Sequence, residues 1–82
     1  MGRVDDLVAI VTGAAMGIGE ATAHLMAREG AHVAVTDVDE SAGRAVAKSI
    51  REAGGEAQFW PLDVGDEEAV RTTFAEIHDH YE

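Results

Sequence analysis

Within 82 residues, a short apolar run gives way three times to a segment with helical spacing. That alternation leaves the chain very few folds. Leu7-Val8-Ala9-Ile10-Val11 is the first run, bounded by Asp6 and Gly13. A continuous apolar run of this length suits a strand buried on both faces. After the glycine-rich Gly13 to Gly19, the residues Ile18, Ala21, Thr22, Leu25 and Met26 recur at helical spacing, and Gly30 is placed to stop the helix. Ala31 to Thr36 reads as a second strand. Asp37-Val38-Asp39 leads into a second helix with the stripe Ala42, Ala45, Val46, Ile50 and Ala53, ended by Gly54-Gly55. Ala57 to Leu62 reads as a third strand, with Pro61 weakening its end. Gly65-Asp66-Glu67-Glu68 puts acids in the first turn of a third helix, where the helix dipole favours them. Val70, Thr73, Phe74, Ile77 and Tyr81 line one face of it.

The order β-α-β-α-β-α implies an α/β fold with parallel pairing and right-handed crossovers. The expected strand order is 3-2-1, the N-terminal half of a Rossmann-type, doubly wound dinucleotide-binding sheet. No repeat, linker or low-complexity tract divides the chain, so residues 1–82 read as one partial domain. The first strand would lie at the middle of a complete sheet but is an edge here, and an apolar edge is an aggregation hazard. The expectation is a piece of something larger.

Thr12-Gly13-Ala14-Ala15-Met16-Gly17-Ile18-Gly19 carries the chemistry. It sits where a strand hands over to a helix. A pyrophosphate needs a tight turn, close backbone approach and the positive end of a helix. Gly13 allows the turn, Gly17 has no Cβ to block the phosphates, and Gly19 lets the helix pack close to the sheet. The spacing is G-x-x-x-G-x-G, which differs from the G-x-G-x-x-G fingerprint. Asp37 follows the second strand about twenty residues later, where the ribose-binding acid is expected. A carboxylate there accepts from both ribose hydroxyls and repels a 2′-phosphate, so NAD is favoured over NADP. Taken alone, Asp37 would be an ordinary turn residue; its pairing with the glycine turn points to a ligand.

The run T-G-A-A-M-G-I-G resembles the T-G-x-x-x-G-I-G signature of classical short-chain dehydrogenases/reductases, and Asp63-Val64 resembles that family's Asp-Val pair. The resemblance extends from about Leu7 to the last residue. It implies that Gly13, Met16, Gly17, Ile18 and Gly19 line the pyrophosphate and nicotinamide side, with Thr12 bracing the turn through its hydroxyl. It implies that Asp37 and Val38 hold the ribose and the adenine edge, and that Asp63 (by side chain) and Val64 (by backbone) contact the adenine. Relatives that prefer NADP often have a basic residue at the position of Met16 or just past the second strand, and neither is basic here. The family's Asn-Asn-Ala-Gly stretch, catalytic Ser and Tyr-x-x-x-Lys do not occur in these residues. Tyr81, the single tyrosine, reads as a core-facing helix position. No catalytic residue is assigned, and the 82 residues alone are expected to have negligible dehydrogenase activity.

The remaining composition narrows the partners. A net charge of −10 with six scattered basic residues argues against nucleic acid or an anionic membrane. No apolar run approaches a membrane span, and nothing at the start resembles a secretory signal. Without cysteine there is no disulfide or thiolate metal site. His78 and His80 point to different helix faces, and no metal site is expected. His24 and His32 read as isolated surface or boundary residues, and Trp60 as half-buried packing. Thr36 and Ser41 read as turn and cap residues.

These readings describe the NAD-binding part of a cytoplasmic oxidoreductase. The parent would interconvert a secondary alcohol and a ketone by hydride transfer, and a homo-oligomer is compatible with the resemblance. The rival readings are a non-catalytic nucleotide-binding module, a sheet-completing assembly module and a truncated product without function.

Overall fold

A computed structural model describes residues 7–15 and 17–81 of the chain. Its elements run β1 (Val8–Val11), α1 (Gly17–Arg28), β2 (His32–Asp37), α2 (Glu40–Glu52), β3 (Glu56–Pro61) and α3 (Glu67–Tyr81). Met16 lies outside the described residues.

The three strands form one parallel sheet in the order β1-β2-β3, which is the expected 3-2-1 order read from the other edge. Val8 pairs with His32 and Val11 with Val35, while His32 pairs with Glu56 and Asp37 with Pro61. The middle strand β2 is apolar on both faces, and Val33, Ala34 and Val35 are all fully buried. That is the environment a continuous apolar run requires. Pro61 closes β3 on the outer edge of the sheet, where its missing N–H breaks no interior ladder.

Alternate side chains point to opposite faces of a strand. On one face, Val11, Val33, Val35 and Ala57 join Ala23 of α1 and Val46, Ala47 and Ile50 of α2 in a single core. On the other face, Val8 and Ile10 of β1 and Phe74, Ile77 and Tyr81 of α3 line one open cleft. Helix ends follow the local chemistry. Asp39 caps α2 by accepting from the Ala42 N–H at 3.0 Å. Asp66 does the same for Ala69 at 3.1 Å ahead of α3. Gly30 and Gly54 take positive φ just beyond α1 and α2.

All three helix faces differ from expectation in part. In α1, Ile18 is 87% and Leu25 51% exposed, while the fully buried residue is Ala23, flanked by Met26 and Ala27 at the core. The helix packs on the small side chains of Ala23 and Ala27 together with Met26, while Ile18 and Leu25 turn away. In α2 the buried face is Gly43, Val46, Ala47 and Ile50, whereas Ala45 and Ala53 are exposed. Gly43 is part of the contact surface because the Phe59 ring lies where its Cβ would be. A pattern built on apolar residues does not count a glycine, so it placed the stripe off centre. In α3, Thr73, Ile77 and Tyr81 face inward as expected, but Phe74 is exposed.

No helix among the described residues is long and apolar enough to cross a membrane.

Ile50 is 1% exposed and touches both helices' side of the core. Ile50→Ala is expected to lower the unfolding free energy by about 2–5 kcal/mol, read as a fall in the urea midpoint at unchanged slope. Ala45→Ser, on the exposed side of the same helix, is expected to leave the midpoint nearly unchanged.

Candidate functional site

All the expected ligand-binding residues that the structure describes lie at or just beyond the C-terminal ends of the strands, where open α/β sheets take their ligands. β1 ends at Val11, Thr12 to Ala15 make a turn, and α1 starts at Gly17. Gly13 has φ +61° and Gly17 φ +64°, conformations that side chains with a Cβ rarely adopt. A Cβ on Gly17 would meet nothing within 4 Å, so the backbone there faces open space. Gly19 is the opposite case, because a Cβ there would overlap the Gly13 carbonyl. The first turn of α1 thus packs directly on the glycine turn.

The end of β2 holds this turn in place. The Thr36 hydroxyl donates to the Val11 carbonyl at 2.9 Å, and the Thr36 carbonyl accepts from the Ala14 N–H at 3.1 Å. The Asp37 carboxylate accepts from the Ala15 N–H through Oδ2 at 2.9 Å and from the Asp39 N–H through Oδ1 at 2.9 Å. The Asp39 N–H is the main reason that the Asp37 carboxyl is held below its ordinary range. The Ala15 N–H is the next, and both outweigh the upward push of burial. Asp37 is therefore ionised at neutral pH.

The third strand contributes the remaining residues. The Leu62 N–H donates to the Asp37 carbonyl at 3.1 Å, which brings Asp63 just beyond the end of β2. Asp63 is exposed and accepts from the Gly65 N–H at 2.9 Å through Oδ1. Ile18, Val38 and Val64 are all exposed apolar side chains. Thr12 is exposed in the turn.

Thr36 is the residue that sequence reasoning undervalued. It is 1% exposed and lies inside β2, so it is neither a turn nor a cap residue. Its signal was a hydroxyl at the end of an otherwise apolar strand, where a buried hydroxyl needs an acceptor. His32 also differs from expectation, because it is not isolated. It pairs with Glu56 through Nδ1, and its ring lies 5.5 Å from that of Tyr81. Trp60, half-buried as expected, meets the same Tyr81 edge-on. Burial first, and the Glu56 charge second, push the Tyr81 hydroxyl up. The His32–Glu56 pair lies at the start of β2, at the end of the strand opposite to Asp37, while Trp60 pairs with Thr36.

Two outcomes follow from this geometry. Gly19→Ala is expected to displace the glycine turn and lower the thermal midpoint, because its new neighbour is backbone and cannot swing aside. Acidification is expected to remove the contribution of Asp37. Its folded pKa is depressed, so the contribution is complete above the unfolded carboxyl's pKa and is lost as pH falls through the folded value. Urea midpoints measured below about pH 4 should fall more steeply for the wild-type chain than for Asp37→Asn.

Comparison with known proteins adds a family. The profile described as short chain dehydrogenase matches residues 7–82. A 3beta-hydroxysteroid dehydrogenase of Mediterraneibacter gnavus is 44% identical over 81 residues, covering 99% of this chain and 29% of that protein. A cyclopentanol dehydrogenase of Comamonas is 48% identical over 80 residues, covering 93% of this chain and 32% of the other. Among solved structures, a metagenomic short-chain oxidoreductase in complex with NADP superposes with a TM-score of 0.91 at 35% identity, covering 95% of this chain and 35% of that one. A citronellol catabolism dehydrogenase of Pseudomonas aeruginosa superposes with a TM-score of 0.94 at 38% identity, covering 98% of this chain and 34% of that one. The chain therefore spans about a third of the length of these relatives.

Proposed function

The chain belongs to the short-chain dehydrogenase family, and from that membership we propose that it forms the NAD-binding part of an oxidoreductase that interconverts a secondary alcohol and a ketone. The observation that carries this reading is the ionised Asp37 carboxylate hydrogen-bonded to a glycine turn that opens a helix.

The residues present fit a dinucleotide. The open backbone at Gly17 and the start of α1 suit a diphosphate, which helix N–H groups stabilise without lysines. That suits a chain of net charge −10. Asp37 would accept from the ribose hydroxyls and repel a 2′-phosphate. Val38 and Val64 would offer apolar contact to the adenine, with Asp63 accepting from its amino group. Gly13, Ile18 and Gly19 would shape the pyrophosphate and nicotinamide side together with Met16, and Thr12 would support the turn. One structural relative was solved with NADP; the preference for NAD in this chain rests on Asp37.

When bound, the nicotinamide supplies the hydride acceptor or donor. This chain's own part is to bind and orient it. We assign no proton-transferring residue within it, since Tyr81 is packed among the rings of His32, Trp60 and His80. The whole protein is read as a cytoplasmic enzyme acting on a small alcohol or ketone, with homo-oligomer formation compatible.

Calorimetric titration of the chain with NAD and with NADP tests the reading. NAD is expected to bind at least about tenfold more tightly, a difference of about 1.4 kcal/mol. Gly17→Val is expected to weaken NAD binding without reversing that preference. Equal affinity for the two dinucleotides would remove the assigned role of Asp37, and binding of neither would sink the nucleotide reading.

A further inference from the structure

Two features of the glycine turn pull in opposite directions. Gly13 and Gly17, at φ +61° and +64°, give the backbone the freedom that a close ligand approach needs. The same freedom would leave the turn without a fixed shape. Between those glycines, however, the Ala14 N–H is bound to the Thr36 carbonyl at 3.1 Å and the Ala15 N–H to Asp37 Oδ2 at 2.9 Å. The turn is clamped at its middle and free at its glycines. Ala15 is 8% exposed, so water does not readily replace a lost partner for its N–H.

An ionised carboxylate has about four acceptor sites. In Asp37, Oδ2 serves Ala15 and Oδ1 serves Asp39, and the Val38 N–H also favours the ionised carboxyl, which leaves at least one acceptor site. A ribose diol presents two hydroxyls. The side chain can therefore hold the turn and still accept from a ribose hydroxyl. Asparagine cannot, because its amide NH2 would confront one of the two backbone N–H donors.

We infer that Asp37 is a positioning residue for the glycine turn: its carboxylate latches the Ala15 N–H in the nucleotide-free chain and so sets the turn's backbone for a diphosphate. The latch stands on geometry alone; its service to a nucleotide rests on the function proposed above. One consequence is that replacing Asp37 to admit a 2′-phosphate also releases the turn. A ligand that never touches Asp37 then binds less well too, because the turn must be ordered at the moment of binding.

Amide hydrogen exchange of the nucleotide-free chain tests the latch, with Val35 of β2 as the internal reference. In Asp37→Ala the Ala15 amide is expected to exchange about tenfold faster or more, while Val35 is unchanged. Asp37→Asn is expected to fall between that variant and wild type. Unchanged Ala15 exchange in a variant with intact Val35 protection overturns the latch. If Asp37→Ala loses Val35 protection as well, the wild-type chain decides. As Asp37 protonates, Ala15 protection corrected for intrinsic rate must fall while Val35 stays protected, and a flat profile overturns the latch.

The second arm uses 2′,3′-dideoxyadenosine diphosphate, which has the diphosphate but no ribose hydroxyls. Asp37→Ala is expected to weaken its binding several-fold. Unchanged or tighter binding by the variant overturns the role in setting the turn. If wild type binds neither this probe nor NAD, the nucleotide function fails while the exchange result still judges the latch.

Discussion

The hydrogen bonds that converge on Thr36 and Asp37 join every segment that could receive a ligand. Thr36 ties the end of β1 and the glycine turn to the central strand, and Asp37 ties that turn, the start of the α2 cap and the beginning of the loop after β3. These bonds lie at the end of a strand whose side chains are buried on both faces. The Thr36 hydroxyl bond is buried and the Ala15–Asp37 bond partly buried, which makes these two more costly to leave unmade, whereas the Asp39–Asp37 bond is exposed. The rest of the site is mounted on this junction.

Charge follows from the same junction. A carboxylate held below its ordinary range by backbone N–H groups is ionised at neutral pH, so a negative charge is present beside the turn that the proposed function gives to a diphosphate. That pairing would be repulsive if the diphosphate sat at the carboxylate itself. It is coherent if the carboxylate meets a neutral diol and the phosphates meet the helix start, which is how the dipole distributes partial charge. Under the proposed function, an acidic chain would take an anionic ligand by keeping its side-chain charge off the phosphates.

The fold was largely legible in the sequence. Leu7 to Val11 and Ala31 to Thr36 are apolar runs too short for helices, and the glycines at 30, 54 and 55 stop what lies before them. These are local signals, each set by propensity and turn chemistry within a few residues. Helix faces were less legible. Ile18 and Leu25 look like core residues by spacing, yet α1 packs on Ala23, Met26 and Ala27. Gly43 looks like a weak helix residue, yet its missing side chain makes room for Phe59. Close approach selects small residues, and a hydrophobic pattern assigns them little weight.

What the sequence determined by itself was the order and type of the elements, the turn that could cradle a diphosphate, and the acid at the right distance from it. Period and glycine placement act over a few residues, so they can be read along the chain. Only the tertiary structure decided that Thr36 is a buried brace and that His32 meets Glu56 and Tyr81. It alone decided that Asp37 accepts from the Ala15 N–H. Each of these joins positions far apart in the chain, brought together by parallel pairing about β2, and such contacts have no period along the sequence to betray them.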